Sequence, residues 1–168
     1  MRKIDKIPTP KIDVSKREVP YIGIDPGASG GLAMLHGDHA CAIKMPQTEK
    51  DIWDWMANVA HLGPVAVIEK VSAMPGQGVT SMFTFGKGYG SLRMALIGNG
   101  IPFEEVTPQK WQKALGLGGR AASGSKTAFK NHLKGKAQQY FPKLKVTLAT
   151  SDALLLAVYC KKLHGGKE

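Results

Sequence analysis

Residues 21–31 read Y-I-G-I-D-P-G-A-S-G-G. Tyr21–Asp25 is a strand-length run that ends on an acid and is stopped by Pro26-Gly27. Working outward, Gly31–His36 and Ala40–Met45 read as two more strands, and Gly37-Asp38-His39 between them is a turn, so the pair is a hairpin. Thr48 and Asp51 have capping-box spacing, and Ile52, Trp55, Met56 and Val59 keep a helical period until Gly63-Pro64. Val65–Glu69, V-A-V-I-E, suits a central strand covered on both faces. Ser72 to about Lys87 reads as a Gly-rich loop, followed by a helix through Leu92 and Leu96 that closes at Gly98/Gly100. Pro102–Val106 is a further strand. Thr107-Pro108 supplies an N-cap and an N1 proline to a short helix, whose Trp111 reads as core. Gly116–Ser125 is Gly/Ser/Ala-rich and expected to be mobile. Phe129, Leu133, Ala137 and Phe141 stripe a helix, Lys145–Leu148 reads as a short strand, and Thr150 or Ser151 caps a buried last helix. Hairpins join the first three strands and helical crossovers the later ones. The prediction is an α/β fold: a mixed sheet, antiparallel over its first three strands and then parallel, flanked by helices.

The length of 168 residues predicts one domain, placed at 21–164, behind a basic and mobile N-terminal arm at 1–20 that carries Pro8, Pro10 and Pro20. No apolar run is long enough to span a membrane, and no secretory h-region is present. Cys41 and Cys160 are too few for a disulfide framework, which fits a reducing compartment. The formal charge is +10. Its distribution is uneven: between Lys70 and Lys145 twelve basic residues face two acids, Glu104 and Glu105. A concentrated polycation implies a polyanionic partner, nucleic acid first; the alternative is a basic surface kept for solubility.

Three acids lie outside that stretch, each at the end of an element. Asp25 closes the first strand, Glu69 closes the covered strand, and Asp152 stands in the first turn of the last helix. Ligands bind at the carboxyl ends of strands in open α/β sheets. If the two strands are parallel neighbours, all three carboxylates share one crevice. Such a cluster needs a compensating cation, and hard oxygen donors suit magnesium or manganese. Each acid also has a plainer reading: Asp25 as a turn residue, Glu69 as the ion-pair partner of Lys70 or Arg93, Asp152 as a complement to the helix dipole. The five histidines have no metal-ligand spacing, and the cysteines lack a Cys-x-x-Cys context. Gly23–Gly31 lacks the Gly-Lys-Ser/Thr ending of a phosphate loop.

G-I-D-P-G-A-S-G-G (23–31), V-I-E-K (67–70) and S-D-A-L-L-L-A (151–157) together resemble the RuvC-like Holliday junction resolvases of the ribonuclease H-like superfamily. Residues 74–90 with T-P-Q-K-W-Q-K-A-L-G-L (107–117) most resemble its bacteriophage and organellar branch. The resemblance covers roughly residues 20–162. It implies a ribonuclease H-like sheet, a homodimer, and two magnesium or manganese ions held by Asp25, Glu69 and Asp152 for cutting four-way DNA junctions. The implied compartment is the cytoplasm of a bacterial or phage-infected cell, or an organelle. The family usually has a fourth ligand, Asp or His, three or four residues before the last aspartate; here those positions are Ala149 and Leu148, with Thr147 and Thr150 beside them. A catalytically silent junction-binding protein and a nuclease for RNA–DNA hybrids are the alternatives.

For nucleic acid, Lys126 opens a helix, Lys130 and Lys134 continue its flank, and Lys110, Lys113 and Arg120 extend the track. The resemblance makes Lys126 the basic residue nearest the scissile phosphate. Met74 and Gln77 are the expected elements inserted at the junction centre, with Gln77 reading a base edge. Phe83 and Phe85 fit a core or dimer interface equally well.

Overall fold

A computed structural model of the chain describes residues 18–72, 76, 78–119 and 124–165. Most of the 1–20 arm, Met74, Gln77 and Arg120, and part of the Gly116–Ser125 connection therefore lie outside the described residues. Five strands, β1 (Tyr21–Asp25), β2 (Gly31–His36), β3 (His39–Lys44), β4 (Val65–Glu69) and β5 (Phe103–Val106), form one sheet in the order β3-β2-β1-β4-β5. β1 pairs antiparallel with β2, and β2 with β3; β1–β4 and β4–β5 are parallel. This is the mixed sheet the element order predicts.

Period-two alternation sorts the strand residues onto two cores. Ile22, Ile24, Leu32, Met34, Ala66 and Ile68 join helices α1 (Glu49–Ala60) and α2 (Val79–Gly98) on one face. Ala33, Leu35 and Val67 join α3 (Pro108–Ala114), α4 (Lys126–Tyr140) and α5 (Ser151–His164) on the other. Capping explains several boundaries. Thr48 accepts from the Asp51 amide to start α1, and Ser125 accepts from the Ala128 amide to start α4. Gly27, at φ 105°, makes the turn after β1 that a side-chained residue resists.

The helix most tightly held is α5, which lies across β1. A Cβ on Gly23 would fall on the Ala153 carbonyl oxygen and the Ala157 amide nitrogen, so the absence of a side chain sets how closely the two elements approach. Ser151 through Ala157 are buried without a break.

Two expectations fail. The Gly-rich loop gives way at Val79 to α2, a 20-residue helix that includes Gly86, Gly88 and Gly90. Glycine lowers helix propensity but does not forbid a helix whose far end is anchored, and Leu92, Ala95 and Leu96 provide that anchor in the core. Lys145–Leu148 forms no strand. The Gln138 amide nitrogen donates to the Phe141 and Leu144 carbonyls, and its oxygen accepts from the Val146 amide at 3.4 Å, so a side chain takes up the backbone groups a strand partner would use.

Candidate active site

The strand pleat settles where the carboxylates go. Val65 and Val67 face α5, so Glu69, two residues on, continues that face. Ile22 and Ile24 face the opposite core, which puts Asp25 on the α5 side as well. The parallel register pairs Ile24 with Ile68, and its next step sets Asp25 beside Glu69. Asp152, in the first turn of α5, is brought over them by the close packing allowed by Gly23. The structure thus gathers all three sequence-predicted acids at the carboxyl end of β1 and β4.

Their environment is dry. Asp25 is 8% and Asp152 7% exposed. Burial, then the charges of Asp152 and Glu69, push the Asp25 carboxyl up to about 8, with Lys130 opposing. Burial also raises Glu69; the Trp111 hydrogen bond and Lys130 pull it back part of the way. Lys130 Nζ lies 3.3 Å from Asp152 Oδ2. Burial disfavours its charge, but Asp152 and Asp25 outweigh burial and its pKa is raised. Trp111 is fully buried, and its Nε1 donates to Glu69 Oε2 at 2.7 Å. Ser151 Oγ donates to Asp152 Oδ1 at 3.0 Å.

Sequence reasoning missed two of these roles. Lys130, which the sequence places on a DNA track, also pairs with a carboxylate; Trp111, which reads as core, also orients Glu69. A buried indole N–H needs an acceptor, which is the signal that points from Trp111 to a polar partner. Of the two ion-pair partners the sequence offers Glu69, Arg93 pairs with Glu105 at 3.0 Å instead, and the hydrogen bond Glu69 accepts comes from Trp111.

The other sequence-predicted cations lie on α3 and α4. Lys126 is exposed at the first position of α4, one turn before Lys130, and half-buried Lys134 follows one turn after. Lys110 and Lys113 are exposed on α3. Leu148 is 46% exposed and, like Ala149, has no donor side chain. Thr150 Oγ1 accepts from the Thr147 amide at 3.0 Å and lies 3.1 Å from Thr147 Oγ1, so these hydroxyls are engaged with one another.

The donor chemistry fits a hard divalent cation: three oxygen acids, two of whose carboxyls are pushed up by burial and by a neighbouring carboxylate. The side chains are not drawn into coordination, however. Among the described residues no three His, Cys, Asp or Glu side chains form a ligand cluster. Asp152 is turned to Lys130 and Ser151, and Glu69 to Trp111.

No family model matches the sequence, and no curated protein matches it. Solved structures do. The RuvC structure of Thermus thermophilus matches with TM-score 0.58 and 18% identity, covering 88% of this chain and 97% of that one. T. thermophilus RuvC in complex with a Holliday junction substrate matches with TM-score 0.59 and 18% identity, covering 89% and 98%. The fold is therefore the RuvC-like, ribonuclease H-like α/β fold across most of the chain. No helix among the described residues is long and apolar enough to cross a membrane.

Proposed function

We propose that this protein is a metal-dependent, structure-selective DNA endonuclease that resolves four-way junctions by paired phosphodiester hydrolysis. The observation that carries the reading is the meeting of Asp25, Glu69 and Asp152 at one strand end, where Asp152 adds to the burial that raises the other two carboxyls. The neighbour described with a Holliday junction substrate supports the substrate class. The three carboxylates would hold two magnesium or manganese ions. Bound there, such ions supply an activated water and charge compensation at the leaving oxygen. Lys130, held between the acids and the α4 flank, is placed to trade Asp152 for a phosphate oxygen. Lys126 and Lys134, one turn to either side, hold the adjoining backbone. Trp111 keeps one Glu69 oxygen fixed and leaves the other to act.

The protein acts as a homodimer in this reading. Val79, Phe83, Met94 and Ile97 of α2 are 85%, 74%, 61% and 57% exposed. With Gly86 and Gly90 they follow helical spacing along one stripe, and no atom lies within 4 Å of a Cβ built on either glycine. A second copy laid on this stripe would cover the apolar side chains and approach closely at the glycines, and a two-fold dimer supplies two cutting sites to a two-fold junction. The bacteriophage and organellar branch is favoured by residues 107–117. A reducing cytoplasmic or organellar compartment suits free Cys41 and Cys160.

The test is one substrate panel: four-way junction, duplex, flap and RNA–DNA hybrid, each with magnesium and with manganese. Symmetric nicks in the junction alone are the expected result; preferential cutting of the hybrid overturns the substrate assignment. A second reading, a silent junction-binding protein, draws on donorless Leu148 and Ala149 and on the uncoordinated carboxylates. Tight junction binding without cutting in either metal would establish it.

A further inference from the structure

Asp152 meets the other two acids with both of its oxygens already engaged. Lys130 Nζ lies 3.3 Å from Oδ2, and Ser151 Oγ donates to Oδ1 at 3.0 Å. The two partners differ in kind. Ser151 is fully buried and adjoins Asp152 in the first turn of α5, so its hydroxyl travels with the carboxylate. Lys130 comes from a different helix, on a long stem, and its side chain is 36% exposed against 10% for Asp152. Its ammonium can swing outward to solvent without disturbing the core.

The other donors stand on the sheet. Asp25 closes β1, and Glu69, one of whose oxygens is held by Trp111, closes β4 beside it. Asp152 is the one acid of the three that a helix contributes. Leu148 and Ala149 before it bring no donor side chain, and the Thr147 and Thr150 hydroxyls are turned to one another. A divalent ion that leans on Asp152 therefore finds no substitute ligand among these neighbours and must compete with Lys130 for Oδ2. Charge points the same way. Three carboxylates against one ammonium leave a deficit that one divalent ion cancels. A second would leave a buried crevice positive, which a low dielectric makes costly. A DNA phosphate changes both terms: it adds negative charge, and it offers the ammonium another partner.

We propose that Lys130 keeps one of the site's two cation positions for itself: in the DNA-free protein its ammonium takes the Asp152 oxygen that a second divalent ion needs, and it yields that oxygen only when a DNA phosphate draws it away. The proposal rests on the nuclease reading above and adds a coupling to it. The free protein carries one divalent ion, and Lys130 admits the other on DNA. Linkage makes the effect mutual, so the second ion in turn tightens the hold on DNA.

The test uses the full chain, manganese alone as the probe, and low-temperature electron paramagnetic resonance, which separates an isolated manganese ion from a spin-coupled pair. Free wild type at saturating manganese should bind one ion per chain and give the isolated signal. Lys130→Met keeps an apolar stem and removes the charge; Lys130→Gln is a second neutral variant should the first fail to fold. Either should bind two ions per chain and show the coupled signal without DNA. Lys126→Met removes the same charge one turn away and should stay at one ion. Wild type mixed with a four-way junction and frozen before turnover should gain the coupled signal, which ions scattered along DNA do not give. A coupled pair in DNA-free wild type, or only the isolated signal in a folded neutral Lys130 variant, overturns the proposal and leaves the nuclease reading to its substrate panel. So does a second ion in Lys126→Met, which would make net charge the cause, or an isolated signal on a junction that wild type goes on to cut. If folded wild type and variants bind no manganese at all, the metal-dependent reading falls with it.

Discussion

α5 and α2 pack on opposite faces of the sheet, and they are held in opposite ways. Nine of the fourteen residues of α5 are buried, against three of twenty in α2. Both meet glycine, with different consequences. Gly23 lets α5 sit directly on β1, and any side chain there would collide with helix backbone. Gly86 and Gly90 face open space. The first glycine serves a contact within the chain; the other two leave room for a contact from outside it. The lesson is a division of labour. The acids stand on the tightly packed part of the molecule, and the exposed apolar side chains stand on the other helix.

The sharpest way to break this contrast is Gly23→Ala. Even one methyl must displace α5 from β1, and the expected cost is about 3 kcal/mol or more in urea unfolding. A cost under about 1 kcal/mol would show that α5 has slack and that Asp152 is not rigidly placed.

Asp25→Asn tests the site end through pH. The folded pKa of about 8 lies well above the ordinary carboxylate value, so the folded state keeps its proton longer than the unfolded chain. Wild-type stability without divalent ions is therefore fully present at low pH and lost as pH rises toward and through 8. The asparagine variant escapes that loss. It should match wild type near pH 4 and exceed it by about 3 kcal/mol at pH 9 in EDTA, read by thermal or urea melts. Parallel stability curves would mean that Asp25 is solvated.

Trp111→Phe keeps the ring in the core and removes the donor to Glu69. The loss of a charge-assisted hydrogen bond predicts about 2 kcal/mol less stability above the Glu69 pKa. Because that bond holds the Glu69 pKa down, the acid limb of the cleavage pH profile should move to higher pH. An unmoved limb with the same destabilisation would assign Trp111 to packing alone.

The smallest expected effect is at the other helix. Gly90→Ala should stabilise an isolated chain by about 1 kcal/mol through helix propensity, since its Cβ meets nothing. In a dimer packed on the stripe the same methyl intrudes, so sedimentation should show weaker association. Phe83→Glu should dissociate the dimer while leaving monomer stability within about 0.5 kcal/mol. Unchanged association in both variants would remove the stripe from the interface.

The same two regions mark how far the sequence could be read. Strands β1, β2 and β4 and helices α1, α4 and α5 announce themselves by alternation, turn residues and caps, and the three acids by standing at element ends. The start of α2 was not legible, because the glycines between Phe85 and Ser91 carry a loop's composition and the anchoring leucines lie a turn or more downstream. The segment Lys145–Leu148 misled because Gln138, distant in the pattern, captures its backbone. Within the site, Lys130 and Trp111 depend on α4 and α3 packing against α5 and β4, and nothing local encodes which neighbour a long side chain will meet.

The most direct measurement is junction cutting by wild type and by Asp25→Asn, in magnesium and in manganese, with binding of the same junction followed in parallel. The account predicts that wild type nicks the junction symmetrically, and that the variant binds it within a few-fold of wild type and does not cut. Cutting by Asp25→Asn at the wild-type rate would contradict the claim that these carboxylates are the active site.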